Sequence, residues 1–539
     1  MKLINNLIDK AVAPVDKALE RFDPIWQAEN GAGGQRSRYY DKTGVAKWRE
    51  WRGVKDTLVD YGAWMKNLMS MAGMVASAPV PCLKGFWEYR WMGSYLGTFM
   101  FIDRLFEGYR GEELKVAHMN MHAIVSSLTK KIAFILSNDE RLGGGKDTEN
   151  CIPHDETLPP LIFSGFKGLH PVPLQTLPEF IICDIDQHIE PYYIDVAESF
   201  GLPGDVCSRC SAETGVALDD AFPVLGKAMV STNMPCNASE MTSMFQRRRI
   251  ALPDFAATMA MQHTHPDGVE YSEDILKDLI KFIEDNYGVE FDWNEFFKDA
   301  ERMNEQNALE LEKWDYFTTP YSPLSGVAET LYKLYEWQSA NGQEELFNRN
   351  DRKVIKILRR CYDERYIPFG GKTRHRAFLW GPSAVYYTDF PTWTQNCWGI
   401  CIVLNMDSTM GYNMINTEDP EIAMHDLTEL TQRSTMRHHA VGGWDNVNAV
   451  WDWAKRFNCD MVICNDNVAC KGMNGVHAVL EEQAEKYGMH WIWLQHDLED
   501  SRTISRQDMR NCVNSYCSVV LGEKPLDETL VEFDDSDAY

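Results

Sequence analysis

Three cysteines stand in polar, Gly/Pro/Asn-rich surroundings rather than in apolar runs. They are Cys207 in Gly-Asp-Val-Cys-Ser-Arg-Cys-Ser, Cys236 in Asn-Met-Pro-Cys-Asn, and Cys470 in Asn-Asp-Asn-Val-Ala-Cys-Lys-Gly. Thiols in such loops are accessible, and a helix that starts just after one draws its pKa toward the thiolate. Three thiolates converging on one cleft would hold an iron–sulfur cluster or zinc. Cys210 makes a C-x-x-C pair with Cys207, so Cys207, Cys210, Cys236 and Cys470 are also a candidate four-thiolate zinc set. Taken singly, each is more often an inert loop thiol. Cys183, Cys401 and Cys464 lie inside apolar strand patterns and Cys361 and Cys512 inside helical ones, which reads as core.

Candidates for proton transfer are His188 in Asp-Gln-His-Ile-Glu, His263, His265 and Glu213. Histidine titrates near neutrality and suits acid–base work, although a lone loop histidine is more often structural. Lys and Arg number 53 against 80 Asp and Glu, a net charge of −27. That field repels phosphate backbones and argues against a nucleic-acid or anionic-membrane partner. An anionic small ligand needs a local cationic cluster. Arg247, Arg248 and Arg249 form one candidate and Arg374 with Arg376 another; a solvated helix face or strand edge is the bland alternative.

The elements that must position these residues follow from periodicity. The chain has 539 residues, 44% apolar, with 17 Trp, 22 Tyr and 24 Phe, enough for several packed domains. The first 175 residues show no period-2 alternation and read as mainly helical. They contain an N-terminal amphipathic stretch and a polar, Gly-rich loop at 138–156. From 176 to 270, apolar runs at 180–185 and 227–232 alternate with helices near 191–200 and 239–250, the pattern of βαβ units. A helical bridge occupies 271–370, with helices beginning at Ser272 and continuing over 292–317 and 322–365. A second α/β block fills 371–522, with strands at 376–380, 399–404, 460–464 and 490–494. The acidic tail 523–539 is poor in apolar residues and reads as mobile. The expected architecture is α/β, two small parallel-sheet, Rossmann-like domains bridged by helices, plus the N-terminal helical region. No apolar segment reaches the ~18 residues of a membrane span, so a cytoplasmic protein with reduced thiols is expected.

The region from about 178 to 521 resembles the cluster-carrying subunits of 2-hydroxyacyl-CoA dehydratases and benzoyl-CoA reductases. The resemblance is carried by Val206-Cys-Ser-Arg-Cys-Ser-Ala-Glu-Thr-Gly215, Val230-Ser-Thr-Asn-Met-Pro-Cys-Asn237 and Asp460-Met-Val-Ile-Cys-Asn-Asp-Asn-Val-Ala-Cys-Lys471. The helix Tyr271-Ser-Glu-Asp-Ile-Leu-Lys-Asp-Leu279, with Asn304 and Asn307 downstream, adds to it. So does the closing strand with its acidic turn, Gly488-Met-His-Trp-Ile-Trp-Leu-Gln-His-Asp-Leu-Glu-Asp-Ser-Arg502. It implies a 4Fe-4S cluster held by Cys207, Cys236 and Cys470, with one iron open. Cys210 competes for the first position and Cys464 for the third. It further implies a related cluster-carrying partner subunit and a separate ATP-hydrolysing activator protein, with an acyl-CoA thioester as substrate.

Adding an electron to an aromatic thioester, or removing a β-proton from an acyl-CoA, passes through an unstable radical anion that only a low-potential donor in a water-poor site can support. No Gly-x4-Gly-Lys-Ser/Thr phosphate loop is present, in keeping with ATP use by a partner. The Cys207-Ser208 start leans toward the benzoyl-CoA reductase branch, with 2-hydroxyacyl-CoA dehydration as its rival. A zinc-binding protein or a non-catalytic electron carrier on the same fold is the alternative of another class.

Overall fold

The computed structural model describes residues 54–95, 109, 111–145, 147–155, 157–173, 189–233, 236–260, 265–323, 326–341, 343–387, 389–409, 411–433 and 444–533. The expected N-terminal amphipathic stretch and the apolar run at 180–185, with Cys183, lie outside these residues.

Two four-stranded sheets, both wholly parallel, organise the chain. The first contains β1 (Cys151–His154), β2 (His170–Pro173), β3 (Met229–Thr232) and β4 (Asp254–Ala257) in the order β2-β1-β3-β4. The second contains β5 (His375–Trp380), β6 (Ile400–Asn405), β7 (Met461–Asn467) and β8 (His490–His496) in the order β6-β5-β7-β8. Counted within each sheet, the order is the same: second, first, third, fourth. The chain reverses its winding between the first and third strands, and loops leaving the carboxyl ends of those strands flank a crevice.

Both sheets are covered on two faces, as parallel sheets require. In the first, Ile152 and Val230 join one core cluster while their neighbours Cys151 and Met229 join another. In the second, Phe378, Val462 and Cys464 face one core, and Ala377, Leu379, Met461 and Ile463 face the opposite one. This alternation is the pleat made visible: adjacent residues on a strand point to opposite layers.

Preceding the first sheet are α1 (Val54–Ser77), α2 (Pro79–Glu88) and α3 (Gly111–Asn138). Between β2 and β3 run α4 (Glu190–Ser199) and α5 (Ser208–Leu218), and α6 (Asn237–Ile250) joins β3 to β4. The bridge consists of α7 (Pro266–Tyr287), α8 (Trp293–Phe317), α9 (Gly326–Trp337) and α10 (Glu344–Asp363). In the second unit α11 (Phe390–Trp398), α12 (Pro420–Gln432), α13 (Trp444–Arg456), the single turn α14 (Lys471–Asn474), α15 (His477–Tyr487) and α16 (Arg506–Ser515) alternate with the strands. Among the described residues no helix is long and apolar enough to cross a membrane.

Several elements depart from the periodicity reading. β1 and β2 lie before residue 176, where no strand pattern was expected: Cys-Ile-Pro-His and His-Pro-Val-Pro are four residues each and carry prolines. Proline removes a ladder donor, and the two prolines of β2 are tolerated because β2 is an edge strand. The Gly-rich stretch at 138–156 is a tightly packed connection with Leu142 and Thr148 buried, rather than an open surface loop. α7 starts at Pro266, not Ser272, because the His265 side chain caps it by accepting from the Asp267 amide. The expected helix over 322–365 is two helices, broken by Gln338–Gln343, where Asn341 takes a left-handed φ of 58°. The tail expected to be mobile packs as far as residue 533. Leu530 is buried and accepts a hydrogen bond from the Trp393 indole, and the Leu526 amide donates to the Cys397 carbonyl.

Candidate functional site

Cys207, Cys236 and Cys470 each occupy the residue immediately before a helix: α5, α6 and α14 respectively. The latter two follow the third strand of their sheets, β3 and β7, and so stand at the two equivalent switch-point crevices. Gly215 explains how α5 reaches this position. A Cβ there would lie 1.9 Å from the Tyr193 carbonyl oxygen, so only glycine lets α5 close on α4 and carry Cys207 inward. Gly381 plays the corresponding part in the second unit. It follows β5 with φ of 95°, and a Cβ would meet the Asn465 carbonyl of β7 at 2.2 Å.

The sulfurs share one electrostatic environment. The Cys207 thiol sits below the ordinary thiol range, chiefly because the Cys210 thiol hydrogen-bonds to it; the Arg209 amide and Asn467 assist. Cys210 is pushed up by the same contact, by burial and by the charge of Cys236. Burial raises Cys236, with the charge of Cys207 adding to it and the Ser239 and Ala238 amides opposing. Burial likewise raises Cys470 to about 11; Cys207 and Cys236 add to it, while the Met473 and Gly472 amides oppose. No sulfur of the three makes a close capping hydrogen bond, so the amide dipoles act at longer range. Asn467 Nδ2 lies 3.5 Å from Cys207 Sγ, a link from the end of β7 to the start of α5.

The charge of Cys207 raises Cys236, and those of Cys207 and Cys236 raise Cys470; such a set favours a cation, and soft sulfur donors favour a soft one. Among the described residues, no three cysteine sulfurs lie within 4.8 Å of one another. A single zinc ion with bonds of about 2.3 Å would draw its thiolates to about 3.8 Å apart. Cys207, Cys236 and Cys470 are each half-buried, so their sulfurs are approachable. Cys464 points into the core from β7 and is 1% exposed, with burial holding its thiol protonated.

Around the thiols the two units are tied together. Ser208 Oγ donates to Asp497 and accepts from the Glu499 amide at 3.1 Å. Lys471 Nζ meets Asp205 at 2.6 Å, and Arg502 meets Asp195 at 2.9 Å. Glu213 is buried on α5, 3.8 Å from Arg209 Nε, and its charge reaches Cys210. His265 is an exposed cap of α7. His188 and His263 lie outside the described residues.

The arginine candidates stand away from the thiols. Arg247, Arg248 and Arg249 are in the last turn of α6, with Cys236 at its first. About ten residues of helix put roughly 15 Å between them. Arg247 pairs with Asp254 at 2.7 Å and Arg249 with Asp220, while Arg248 is exposed. Arg374 precedes β5, at the end of the second sheet opposite Cys470, and pairs with Glu523 at 3.2 Å.

Three carboxyl groups escaped the sequence reading. Asp407 follows β6, is buried, and has its pKa raised to about 7 by that burial, with Arg209 opposing. Glu190, at the start of α4, is held well above the usual carboxyl range by burial, with Glu499, Asp500 and Asp497 adding to it. Asp497 lies in the acidic turn after β8 and receives the Ser208 hydroxyl. Only the Asp-Leu-Glu-Asp turn gave a sequence signal; burial of a carboxylate is a tertiary property.

No curated protein matches the chain. A family model described as 2-hydroxyglutaryl-CoA dehydratase, D-component, matches residues 171–515, from β2 to the last residue of α16. That span holds all three loop cysteines and the whole of the second sheet, while β1 of the first sheet precedes it. With nearly two-thirds of its length inside the match, this chain belongs to the 2-hydroxyglutaryl-CoA dehydratase D-component family and is a dehydratase-type component of a multi-subunit system acting on acyl-CoA.

Proposed function

We propose that the chain is the cluster-carrying component of a 2-hydroxyacyl-CoA dehydratase-type enzyme, with Cys207, Cys236 and Cys470 as the ligands of a 4Fe-4S cluster. The observation that carries this reading is the electrostatic coupling of three helix-start thiols from three separate loops, inside the family match. When bound, such a cluster supplies a low-potential electron and one iron without a protein ligand. In this reading Cys210 is not a ligand; it donates its S–H to Cys207, and Asn467 donates a second hydrogen bond to the same sulfur. Hydrogen bonds of this kind tune a centre's potential. Asp407 and Glu213 are the proton-handling groups, and the electron arrives from an ATP-hydrolysing partner. A related subunit completes the working unit in the cytoplasm. Arg247, Arg248 and Arg374 hold CoA phosphates only if the substrate's long arm reaches beyond the crevice.

Aromatic ring reduction of the benzoyl-CoA type is the second reading. It rests on the Cys207-Ser208 start, and the hydrogen bonds of Ser208 to Asp497 and Glu499 give that serine a structural reason instead. Dehydration is therefore placed first.

The test is single Cys→Ser replacement at Cys207, Cys210, Cys236, Cys464 and Cys470 in anaerobically prepared protein, with iron and zinc counted in each. Large iron loss is expected at Cys207, Cys236 and Cys470 alone. Zinc in place of iron, or equal loss at Cys210, would overturn the ligand assignment. Turnover of a 2-hydroxyacyl-CoA but not of benzoyl-CoA by the assembled system separates the two reactions.

A further inference from the structure

In a chain of net charge −27, a concave surface between three helices carries more cations than acids among the described residues. α1, α3 and α10 enclose a cleft of about 400 Å³ lined by Lys66, Lys115, Arg349 and Lys353. The volume is within the range of small-molecule sites, roughly 300–1,000 Å³. Two of its three helices precede residue 171, outside the family match, so family membership assigns it nothing.

Of the six cations of α10, three are paired, two line the cleft, and Lys356 is exposed away from it. Arg352 pairs with Glu305 and Glu345, Arg359 with Glu312, and Arg360 with Glu112. Arg349 and Lys353, the two that line the cleft, have no carboxylate partner among the described residues, and neither has Lys66 on the opposing helix. Arg349 and Lys353 are four residues apart on one helix face, where like charges repel and destabilise. A bound anion removes that cost.

Among the described residues the cleft's one acid is already engaged. Asp60 is held by His122 at 2.9 Å and by His118 at 3.1 Å. The buried Asn67 reaches the His122 carbonyl at 3.3 Å, and Asn350 donates to Asn120 at 2.9 Å, so the floor is braced. Val59, Ala63 and Leu346 add an apolar wall beside the cations.

We propose that this cleft binds a small anion carrying at least two phosphate groups, with Lys66 and the Arg349–Lys353 pair contacting them from opposite walls. Because the site is distant in sequence from the thiols and its readout needs no iron, it stands or falls separately from the cluster assignment.

The test is calorimetric titration of the full-length protein at low salt with pyrophosphate, ADP, coenzyme A and adenosine. Pyrophosphate or ADP is expected to bind, adenosine not to bind, and affinity to fall as salt rises. Equal affinity for pyrophosphate and ADP would mean that phosphate recognition alone suffices. Tighter binding of ADP or coenzyme A would add a nucleotide contact on the apolar wall. The double substitution R349Q/K353Q, at exposed positions, is expected to weaken binding at least about tenfold, worth about 1.4 kcal/mol. It should leave the melting temperature of the free protein unchanged or higher. Absence of binding by every phosphate ligand at about millimolar concentration, or undiminished affinity in the double variant, would overturn the proposal.

Discussion

Ser208 donates its hydroxyl hydrogen bond to Asp497, joining the first turn of α5 to the acidic turn after β8. The residue beside Cys207 is thereby fixed to the second α/β unit, and so is the thiol that precedes it. Asp497 also receives the Glu499 and Asp500 amides at 3.1 and 2.9 Å. Its carboxylate therefore anchors a turn as well as a helix start.

Replacing Ser208 with alanine takes one donor from a buried carboxylate. Hydrogen bonds to charged groups contribute about 1.5–3 kcal/mol each. S208A is expected to lose about that much in urea unfolding of the metal-free protein, and Ser208→Thr, which keeps the hydroxyl, to retain most of it. An S208A protein as stable as the parent would show the bond to be replaceable by water.

Gly215 tests how Cys207 is delivered. Its Cβ position lies 1.9 Å from a backbone oxygen, which has no rotamer with which to move aside. Gly215→Ala must separate α4 from α5, and overpacking of that kind costs about 1–3 kcal/mol or more. The expected outcome is lower stability together with reduced iron uptake, although residue 215 touches no sulfur. Unchanged iron content would mean that the approach of α4 to α5 does not control the thiol position.

Much of this arrangement was legible in the sequence and part was not, for physical reasons. β5, β6, β7 and β8 are six or seven residues long and rich in Ile, Val, Leu and Trp, so their apolar runs stand out. β1 and β2 are only four residues long and carry prolines, and only their partners identify them. Cys207, Cys236 and Cys470 could be chosen because a thiol in a polar loop is unusual by type alone. Asp407 and Glu190 could not, because one carboxylate among 80 acidic residues becomes special only when the fold removes its water; Asp497 was marked only by its acidic turn. The tail failed for the opposite reason: few apolar residues suffice when Leu526 and Leu530 each find a waiting site on α11.

Asp407 makes stability depend on pH in a defined window. Its folded pKa, about 7, is above the ordinary 3.8, so the folded protein holds a proton that the unfolded chain releases. The contribution of Asp407 to stability is then largest below pH 4, falls as pH rises from about 4 to 7, and is flat beyond. The full shift corresponds to at most about 4 kcal/mol. Asp407→Asn cannot ionise and is expected to abolish this slope, so that it exceeds the parent in melting temperature at pH 8 and not at pH 4.5. Parallel curves for the two proteins would show Asp407 to be ionised throughout.

His375 gives a second, separable pH response through the tail. Its Nδ1 lies 2.7 Å from Asp460 and its Nε2 3.2 Å from Glu523, and these two carboxylates raise its pKa above 6.5. The imidazolium link is complete below about pH 6.5, where folded and unfolded chains both carry the proton, and is lost as pH rises through the raised folded value. Asp460 is depressed, so its share is present above the usual carboxylate range and lost only as pH falls through the lowered value. The link therefore contributes most between about pH 4 and 6.5, by roughly 1–3 kcal/mol for hydrogen bonds between charged groups. Against the parent, His375→Gln is expected to lower the urea midpoint most at pH 5.5 and least at pH 9. Glu523→Gln should lower it less, since Asp460 remains. A deficit of equal size at both pH values would mean that His375 is neutral in the folded protein and that the tail is held by Leu526 and Leu530 without it.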